Sequence, residues 1–229
     1  MPEADTNEDW QRWFERVWKH REEALYPSLF GNDRRGIFPI QAEMVTGLFK
    51  QESLDPRWLH YGAFEFAPTA SRNSWLYVTS GMSNDWEADR LDSTTTSGLG
   101  CEFVFETTCQ SDWAIVRLLH LMVFQILLCH GRYESSPPLG EFDRIPLRGS
   151  ICPEASVLTH LMLTLPSRFP QEALLESGPF DFYQVVGISD AEAAYARLRG
   201  GQALVDLLVA HNHFPVTDPK RKELQTVVA

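Results

Sequence analysis

The sequence has few cysteines, and they follow no recognised pattern. Cys101, Cys109, Cys129 and Cys152 include no CxxC pair and no regular spacing. A chain of 229 residues can bury a sizeable core without covalent cross-links. We therefore expect reduced thiols, no disulfide framework and a cytoplasmic location.

Secretion and membrane signals are also missing. The first ten residues are acidic and polar, whereas a signal peptide begins with a basic segment followed by an apolar one. The most apolar stretch, residues 113–129, contains Arg117, His120 and Gln125. It is shorter than the roughly 20 apolar residues of a membrane-spanning helix. We expect neither a signal peptide nor a transmembrane helix.

Basic residues are scarce relative to acidic ones. The chain has 20 Lys and Arg residues and 31 Asp and Glu residues, which give a net charge of −11. This charge disfavours binding to nucleic acids, because binding to their phosphates is driven by cationic side chains. It also disfavours anionic lipid surfaces. We expect no nucleic-acid or membrane partner, and a basic protein or peptide is the partner that the charge suits.

The sequence carries no recognisable catalytic or metal-binding motif. Residues 98–100 (GLG) form a bare GxG, and the third glycine of a dinucleotide fingerprint would fall at Phe103. Walker, GxSxG and HExxH sequences are absent. His211 and His213 form a close pair, but no neighbouring Cys or acidic residue completes a metal ligand set. These absences predict a protein that is not an enzyme and needs no metal or cofactor.

Hydrophobic periodicity predicts an α+β domain built around one sheet. The predicted strands are residues 63–67, 75–79, 101–107, 157–165 and 180–188, and the predicted helices are residues 9–25, 112–130, 189–200 and 202–211. The third of these helices begins at a capping box formed by Ser189 and Glu192. Residues 37–58 fit neither pattern, and residues 131–149 are predicted to be irregular.

Two of the predicted helices differ in how they are expected to pack. Residues 9–25 place Trp10, Trp13 and Trp18 on one stripe, which suits either a docking face or packing on the chain's own domain. Packing is the more common use of such a stripe and is our prediction. Residues 112–130 are apolar on nearly all sides, which predicts the buried central helix.

An unusual concentration of acidic residues lies between residues 85 and 112. The segment contains seven acidic residues and one basic residue, Arg90, so it carries a charge of −6. Within it, strand 101–107 alternates apolar and polar residues, which predicts one face in the core and one face carrying Glu102 and Glu106. Trp86 lies in a polar loop. The segment suits either a solvated face or an acidic rim around an aromatic anchor.

Several short segments occur in an order that resembles one known family. They are residues 75–83 (WLYVTSGMS), 97–105 (SGLGCEFVF), 113–119 with a leading tryptophan, 180–188 (FDFYQVVGI), Glu192 and 202–208. Together they cover roughly residues 60–220 and resemble the suppressor of fused family, in particular its bacterial members. The resemblance implies a single domain with a mixed, mainly antiparallel β-sheet flanked by helices. Combined with the helix pattern near the N-terminus, it predicts a helical segment at residues 1–36 packed on a suppressor of fused-like domain at residues 37–229.

The resemblance also implies a function and a surface. The animal protein is a regulator, not an enzyme, and holds an extended transcription-factor peptide between two lobes, of which this chain resembles the N-terminal one. Trp86 stands where the animal sequence has a tyrosine in the peptide-binding loop, and Thr94 stands where it has an aspartate. The aromatic residue is kept and the acid is lost. Together with the excess of acidic residues in this segment, the resemblance predicts the partner-binding residues Asp85, Trp86, Glu87, Asp89, Asp92, Thr94, Glu102 and Glu106.

Three functional classes follow from these observations. The first is a non-catalytic protein-binding module, and its most specific form is a toxin immunity protein, a role often proposed for bacterial relatives. An acidic protein suits that role, because complementary charge accelerates association with a basic toxin. The second is a regulator or scaffold in another bacterial pathway. The third is an enzyme whose site is assembled only by the fold.

Overall fold

The computed structural model describes residues 3–86, 96–133 and 136–225. Within these residues, nine strands form one sheet and five α-helices pack around it. The strands are β1 (Arg34–Pro39), β2 (Gly62–Phe66), β3 (Trp75–Ser80), β4 (Cys101–Thr107), β5 (Arg144–Pro146), β6 (Leu158–Thr164), β7 (Glu172–Leu175), β8 (Gly178–Ser189) and β9 (Val216–Thr217). The α-helices are α1 (Glu3–Lys19), α2 (Tyr26–Phe30), α3 (Asp112–Cys129), α4 (Asp190–Arg199) and α5 (Gly201–Ala210).

The sheet is mixed and mainly antiparallel, which confirms the predicted fold class. Its strand order is β1-β2-β3-β4-β8-β6-β5, with β7 paired to β8 and β9 paired to β4. Only the pairs that β4 makes with β8 and β9 are parallel among the described strands. Strand β4 is therefore central, and its Cys101 end lies beside the end of β3 at Ser80.

Both faces of the sheet are covered. Phe103 on one face packs in a cluster with Leu118 of α3. Val104 on the opposite face packs in a second cluster with Trp13 of α1 and Tyr26 of α2. Because neither face is open, all seven residues of β4 are buried.

Residues 3–30 form a helical segment that we call the N-terminal arm. It consists of α1, a wider π-helical turn at His20–Leu25, and α2. Trp13 and Val17 are buried against the sheet, which confirms that this helix packs on its own domain. The helix begins at Glu3, six residues before the predicted start at residue 9. Trp18 is the tryptophan of the stripe that is left exposed, at 39%.

Helix α3 is the core helix that its composition predicts. By length and composition alone Asp112–Cys129 could cross a membrane, but 61% of it is buried inside the protein. Leu118, Met122 and Ile126 are fully enclosed. Ser111 lies at the helix start, where its hydroxyl donates to the Cys109 carbonyl and makes no cap to the helix.

We expect Leu119→Ala in α3 to lower the free energy of unfolding by about 2–5 kcal/mol, because the substitution leaves a cavity in the core. Leu119 is 5% exposed, whereas Val116 on the same helix is 43% exposed. Val116→Ala is therefore the matched control, with an expected change within about 0.5 kcal/mol. Equilibrium denaturation in urea measures both. Equal midpoints for the two variants would reject the placement of Leu119.

The C-terminal part of the chain is held by a buried ion pair. The predicted capping box is present, since the Ser189 hydroxyl accepts from the Glu192 N–H and the Glu192 carboxylate accepts from the Ser189 N–H. Arg221 donates to both Glu192 oxygens, at 2.6 and 2.5 Å. Burial raises the pKa of Glu192, but the hydrogen bonds and charge of Arg221 have the larger, opposite effect. The pKa of Glu192 therefore lies below its usual value. The start of α4 and the C-terminal segment are thereby joined.

The structure also fills segments that the sequence patterns left open. Residues 37–58 contain the end of β1, a π-helical turn at Met44–Leu48 and the start of a 3-10 turn at Pro56–His60. Strand β5 lies within the stretch predicted to be irregular, and β1, β7 and β9 were not predicted. The four cysteines are free.

Candidate functional site

A tight turn follows β3 and leads to Trp86. Gly81 has φ +132° and Gly98 has φ +56°, backbone conformations that L-residues with side chains rarely adopt. A Cβ at Gly98 would lie 2.5 Å from the carbonyl oxygens of Met82 and Asn84, so this close approach requires glycine. The Leu99 N–H donates to the Met82 carbonyl at 2.6 Å. Residues 81–86 and 96–100 are therefore held side by side.

Glu102 fixes this turn from the sheet. Its Oε1 accepts from the N–H groups of Gly81 and Ser83, at 3.0 and 2.9 Å, and from the Ser83 hydroxyl at 2.7 Å. Its Oε2 accepts from the Thr79 hydroxyl at 2.6 Å. Four donors thus satisfy one fully buried carboxylate, which is how a protein interior tolerates such a group.

Arg21 fixes the same turn from the N-terminal arm. Its Nη1 donates to the Ser83 hydroxyl at 3.0 Å and to Asn84 Oδ1 at 2.6 Å. Its Nη2 donates to the Ser80 hydroxyl at 2.9 Å and to Glu22 at 3.3 Å. Arg21 is 0% exposed, so these contacts form a buried polar network between the arm and the turn.

Trp86 lies at the end of the turn in a cluster of aromatic side chains. Its ring centroid is 4.4 Å from that of Phe14 in α1 and 5.8 Å from that of His60. Its indole N–H donates to the Tyr61 hydroxyl at 2.9 Å. Burial raises the pKa of Tyr61 to about 12, although the hydrogen bond from Trp86 acts in the opposite direction. Phe14 in turn stacks on Trp10.

We call the group formed by five of these side chains the aromatic cluster: Trp10, Phe14, His60, Tyr61 and Trp86. Trp10, Phe14 and Trp86 are partly buried and His60 is exposed, so the cluster reaches the surface. Sequence reasoning found Trp86 but missed its neighbours. The stripe at residues 10–14 was a usable signal for Trp10 and Phe14, whereas His60 and Tyr61 lie in a segment without a clear pattern.

The other predicted partner-binding residues have different positions. Asp85 lies beside Trp86 and is buried, at 7% exposed. Glu87, Asp89, Asp92 and Thr94 lie outside the described residues, so their assignment stays a prediction.

The expected solvent-facing position of Glu102 and Glu106 is wrong, because both are 0% exposed. The predicted alternation along β4 is correct, since Phe103 and Val104 pack in different clusters. The face that carries the acids, however, is covered by the N-terminal arm. The Glu102 carboxylate cannot contact a partner while the arm is in place.

Glu106 lies at the end of β4 away from Trp86. Its Oε2 accepts from the Ser74 hydroxyl at 2.5 Å and from Arg168 at 3.1 Å, while its Oε1 is buried and has no hydrogen-bond partner among the described residues. It borders a cleft of about 560 Å³ that is also lined by Arg72 and Phe169. Glu102 and Glu106 therefore belong to two separate sites.

Across the described residues, no group of three or more His, Cys, Asp or Glu side chains lies close enough together to hold a metal ion. What the structure brings together is a partly exposed aromatic cluster on a rigidly held turn, directly before an acidic segment. Aromatic anchors with charged surroundings are typical of surfaces that bind other proteins.

The fold is that of a single α+β domain, and comparison with known proteins gives its family. The chain belongs to the suppressor of fused family, because the model of the Suppressor of fused protein (SUFU) matches residues 57–222. This confirms the resemblance found in the sequence. A comparison with curated protein sequences finds no match.

The solved structures that are similar to this chain include the following three. A Sufu–Fu complex has a TM-score of 0.63 at 19% identity, covering 92% of this chain and 91% of that one. Drosophila Suppressor of Fused has a TM-score of 0.57 at 20% identity, and the match covers 71% of this chain but 42% of the Drosophila protein. A suppressor of fused homologue from Neisseria gonorrhoeae has a TM-score of 0.54 at 14% identity, covering 96% and 97%. At these identities the likeness shows the fold.

Proposed function

We propose that this chain is a non-catalytic protein-binding module that binds a basic protein or peptide through the surface around Trp86. The suppressor of fused family is a family of protein-binding, non-catalytic proteins, and a Sufu protein has been solved in complex with Fu. The observation that carries the proposal is the placement of Trp86 at the surface, held by Phe14 on one side and Tyr61 on the other.

The local geometry supports a pre-organised contact. Interface residues that contribute most to affinity are often tryptophans in well-packed positions. Arg21 from the N-terminal arm and Glu102 from the sheet both hold the turn before Trp86, so little conformational freedom is lost when a partner binds. The network thus gives the surface one defined shape.

The charge of the adjoining segment supports a basic partner. Glu87, Asp89 and Asp92 follow Trp86 within six residues, and Arg90 is the only base among residues 85–112. A cluster of residues with the same charge attracts an oppositely charged protein and raises the association rate. A toxin immunity protein that neutralises a basic toxin is the most specific form of this function.

A regulator or scaffold of another bacterial pathway would use the same surface, and only the partner's identity separates it from an immunity protein. The third class, an enzyme, is tested by turnover in a broad hydrolase screen. Measurable turnover that a substitution in this protein abolishes would overturn the non-catalytic assignment, because such activity belongs to the protein itself.

Comparative capture from extracts of the native host tests the proposal. The baits are the wild-type protein, Trp86→Ala and Trp113→Ala. Trp113 is a matched control, since it is a partly buried tryptophan that packs on Phe105, toward the opposite end of β4. We expect one protein to be retained by the wild type and Trp113→Ala and lost with Trp86→Ala. Equal retention by all three baits would contradict the proposed surface.

Neutralising the acidic segment should slow association with the captured partner. We expect Glu87→Gln combined with Asp89→Asn to reduce the association rate by about threefold to tenfold at low salt, and to flatten its salt dependence. The matched control is Glu154→Gln combined with Asp206→Asn, two exposed acids elsewhere on the surface. Biosensor kinetics at several salt concentrations measure the effect. If both double variants behave alike, the acidic segment is a solvated face.

A further inference from the structure

Arg21 is a fully buried arginine in a part of the chain that the family model does not match. The match begins at residue 57, whereas Arg21 lies in the π-helical turn of the N-terminal arm. It is 0% exposed, and its nearest charge is Glu22, which is 6% exposed. Enclosing a guanidinium in this way costs free energy, and apolar residues at such positions often stabilise a protein as well or better. The role of Arg21 therefore calls for a reason other than stability.

The contacts of Arg21 point to the turn that carries Trp86. Three of the four side chains that accept hydrogen bonds from Arg21 are those of Ser80, Ser83 and Asn84. Ser80 is the last residue of β3, and Ser83 and Asn84 lie in the turn before Trp86. The fourth acceptor, Glu22, also accepts from the Ser80 hydroxyl at 2.5 Å. A planar guanidinium presents donors in a fixed fork, so it fixes the relative positions of several acceptors at once.

The arm also supplies the ring against which Trp86 packs. Phe14 lies seven residues before Arg21, and its centroid is 4.4 Å from that of Trp86. The arm and the turn therefore meet at two places, one polar and buried and one aromatic and near the surface. Fixing the polar contact sets the position of the aromatic one.

We infer that Arg21 is a positioning residue of the Trp86 surface, which sets the turn at residues 83–86 and thereby the contact between Trp86 and Phe14. The inference rests on the proposed function, because the position of Trp86 matters for binding only if partners bind there. It adds the N-terminal arm to the binding site as the element that shapes it.

Arg72 offers a matched control within the same chain. It is also buried, at 9% exposed, and donates to three backbone carbonyls, those of Phe30, Ala67 and Ser74. It lies just before β3, whereas the turn at residues 81–86 follows β3. Arg72→Met therefore removes a buried guanidinium of similar environment from the far end of the same strand.

Fluorine NMR of protein labelled with 5-fluorotryptophan tests the inference. The chain has seven tryptophans, and the resonance missing from Trp86→Phe is assigned to Trp86. We expect Arg21→Met to move or split the Trp86 resonance by more than its linewidth, and to leave the Trp113 resonance in place. Arg72→Met should leave the Trp86 resonance unchanged. An unchanged Trp86 resonance in folded Arg21→Met, or the same change in both variants, would overturn the inference.

A second variant covers the case in which Arg21→Met does not fold. Arg21→Met combined with Glu22→Gln removes both charges of the buried pair and leaves no uncompensated carboxylate. The same shift of the Trp86 resonance is expected, and its absence again overturns the inference. The experiment contains no partner, so its failure is distinguishable from a failure of the proposed binding surface, which the capture experiment tests.

Discussion

Replacing Glu102 with alanine is expected to lower the free energy of unfolding by on the order of 3–5 kcal/mol. The carboxylate accepts four hydrogen bonds, two from backbone N–H groups of Gly81 and Ser83 and two from the hydroxyls of Thr79 and Ser83. Alanine leaves these donors buried without acceptors, and each such donor costs about 1–3 kcal/mol before any water enters. Thermal or urea unfolding measures the loss.

Glu102→Gln is the control that separates the hydrogen bonds from the charge. A glutamine oxygen in the place of Oε1 can accept from the same three groups, and its amide can donate to the Thr79 hydroxyl oxygen. That oxygen already accepts from the Phe103 N–H and has a second lone pair. We therefore expect a loss of less than about 2 kcal/mol for this variant. A stability of Glu102→Ala equal to that of the wild type would contradict the role given to the carboxylate.

The difference between prediction and structure is clearest at β4. Its alternating pattern correctly predicts that Phe103 and Glu102 lie on opposite faces, because side chains alternate along any strand. The pattern contains no information on what covers each face. That depends on the N-terminal arm, which lies more than seventy residues earlier in the chain. The acids were for this reason assigned to solvent, although they are buried.

Arg21 shows a signal that was present but unused. It lies on the apolar stripe of the predicted helix, four residues after Val17 and four before Leu25. A charged residue on a buried stripe requires acceptors from another part of the chain. The sequence could therefore have predicted a buried polar contact, but not that its partners would be Ser80, Ser83 and Asn84.

The elements that were not predicted are short or irregular, and the longest of these strands, β1, has its register interrupted between Arg35 and Phe38 and is largely exposed. Strands β5, β7 and β9 have three, four and two residues, which is too few for a pattern with a period of two to be recognised. Residues 37–58 combine the end of a strand with π-helical and 3-10 turns, none of which follows the α-helical period. The long elements, α3 and β8, were predicted to within a few residues.

Replacing Trp86 with alanine is expected to weaken binding of the captured partner by about 2 kcal/mol or more, with most of the change in the dissociation rate. The indole contributes a large apolar surface, and its contacts with Phe14 and Tyr61 hold it in place before binding. Trp86→Phe keeps a ring beside Phe14 but loses the donor to Tyr61. We expect the affinity of Trp86→Phe for the partner to lie between those of Trp86→Ala and the wild type.

The dissociation rate of the captured partner from wild-type, Trp86→Ala and Trp113→Ala proteins tests the central claim most directly. Circular dichroism and urea unfolding first establish that all three are folded. The proposed surface predicts dissociation from Trp86→Ala that is faster by roughly 30-fold, the equivalent of about 2 kcal/mol, and dissociation from Trp113→Ala at the wild-type rate. Equal dissociation rates from the wild type and Trp86→Ala would contradict it and place partner binding on another part of the molecule.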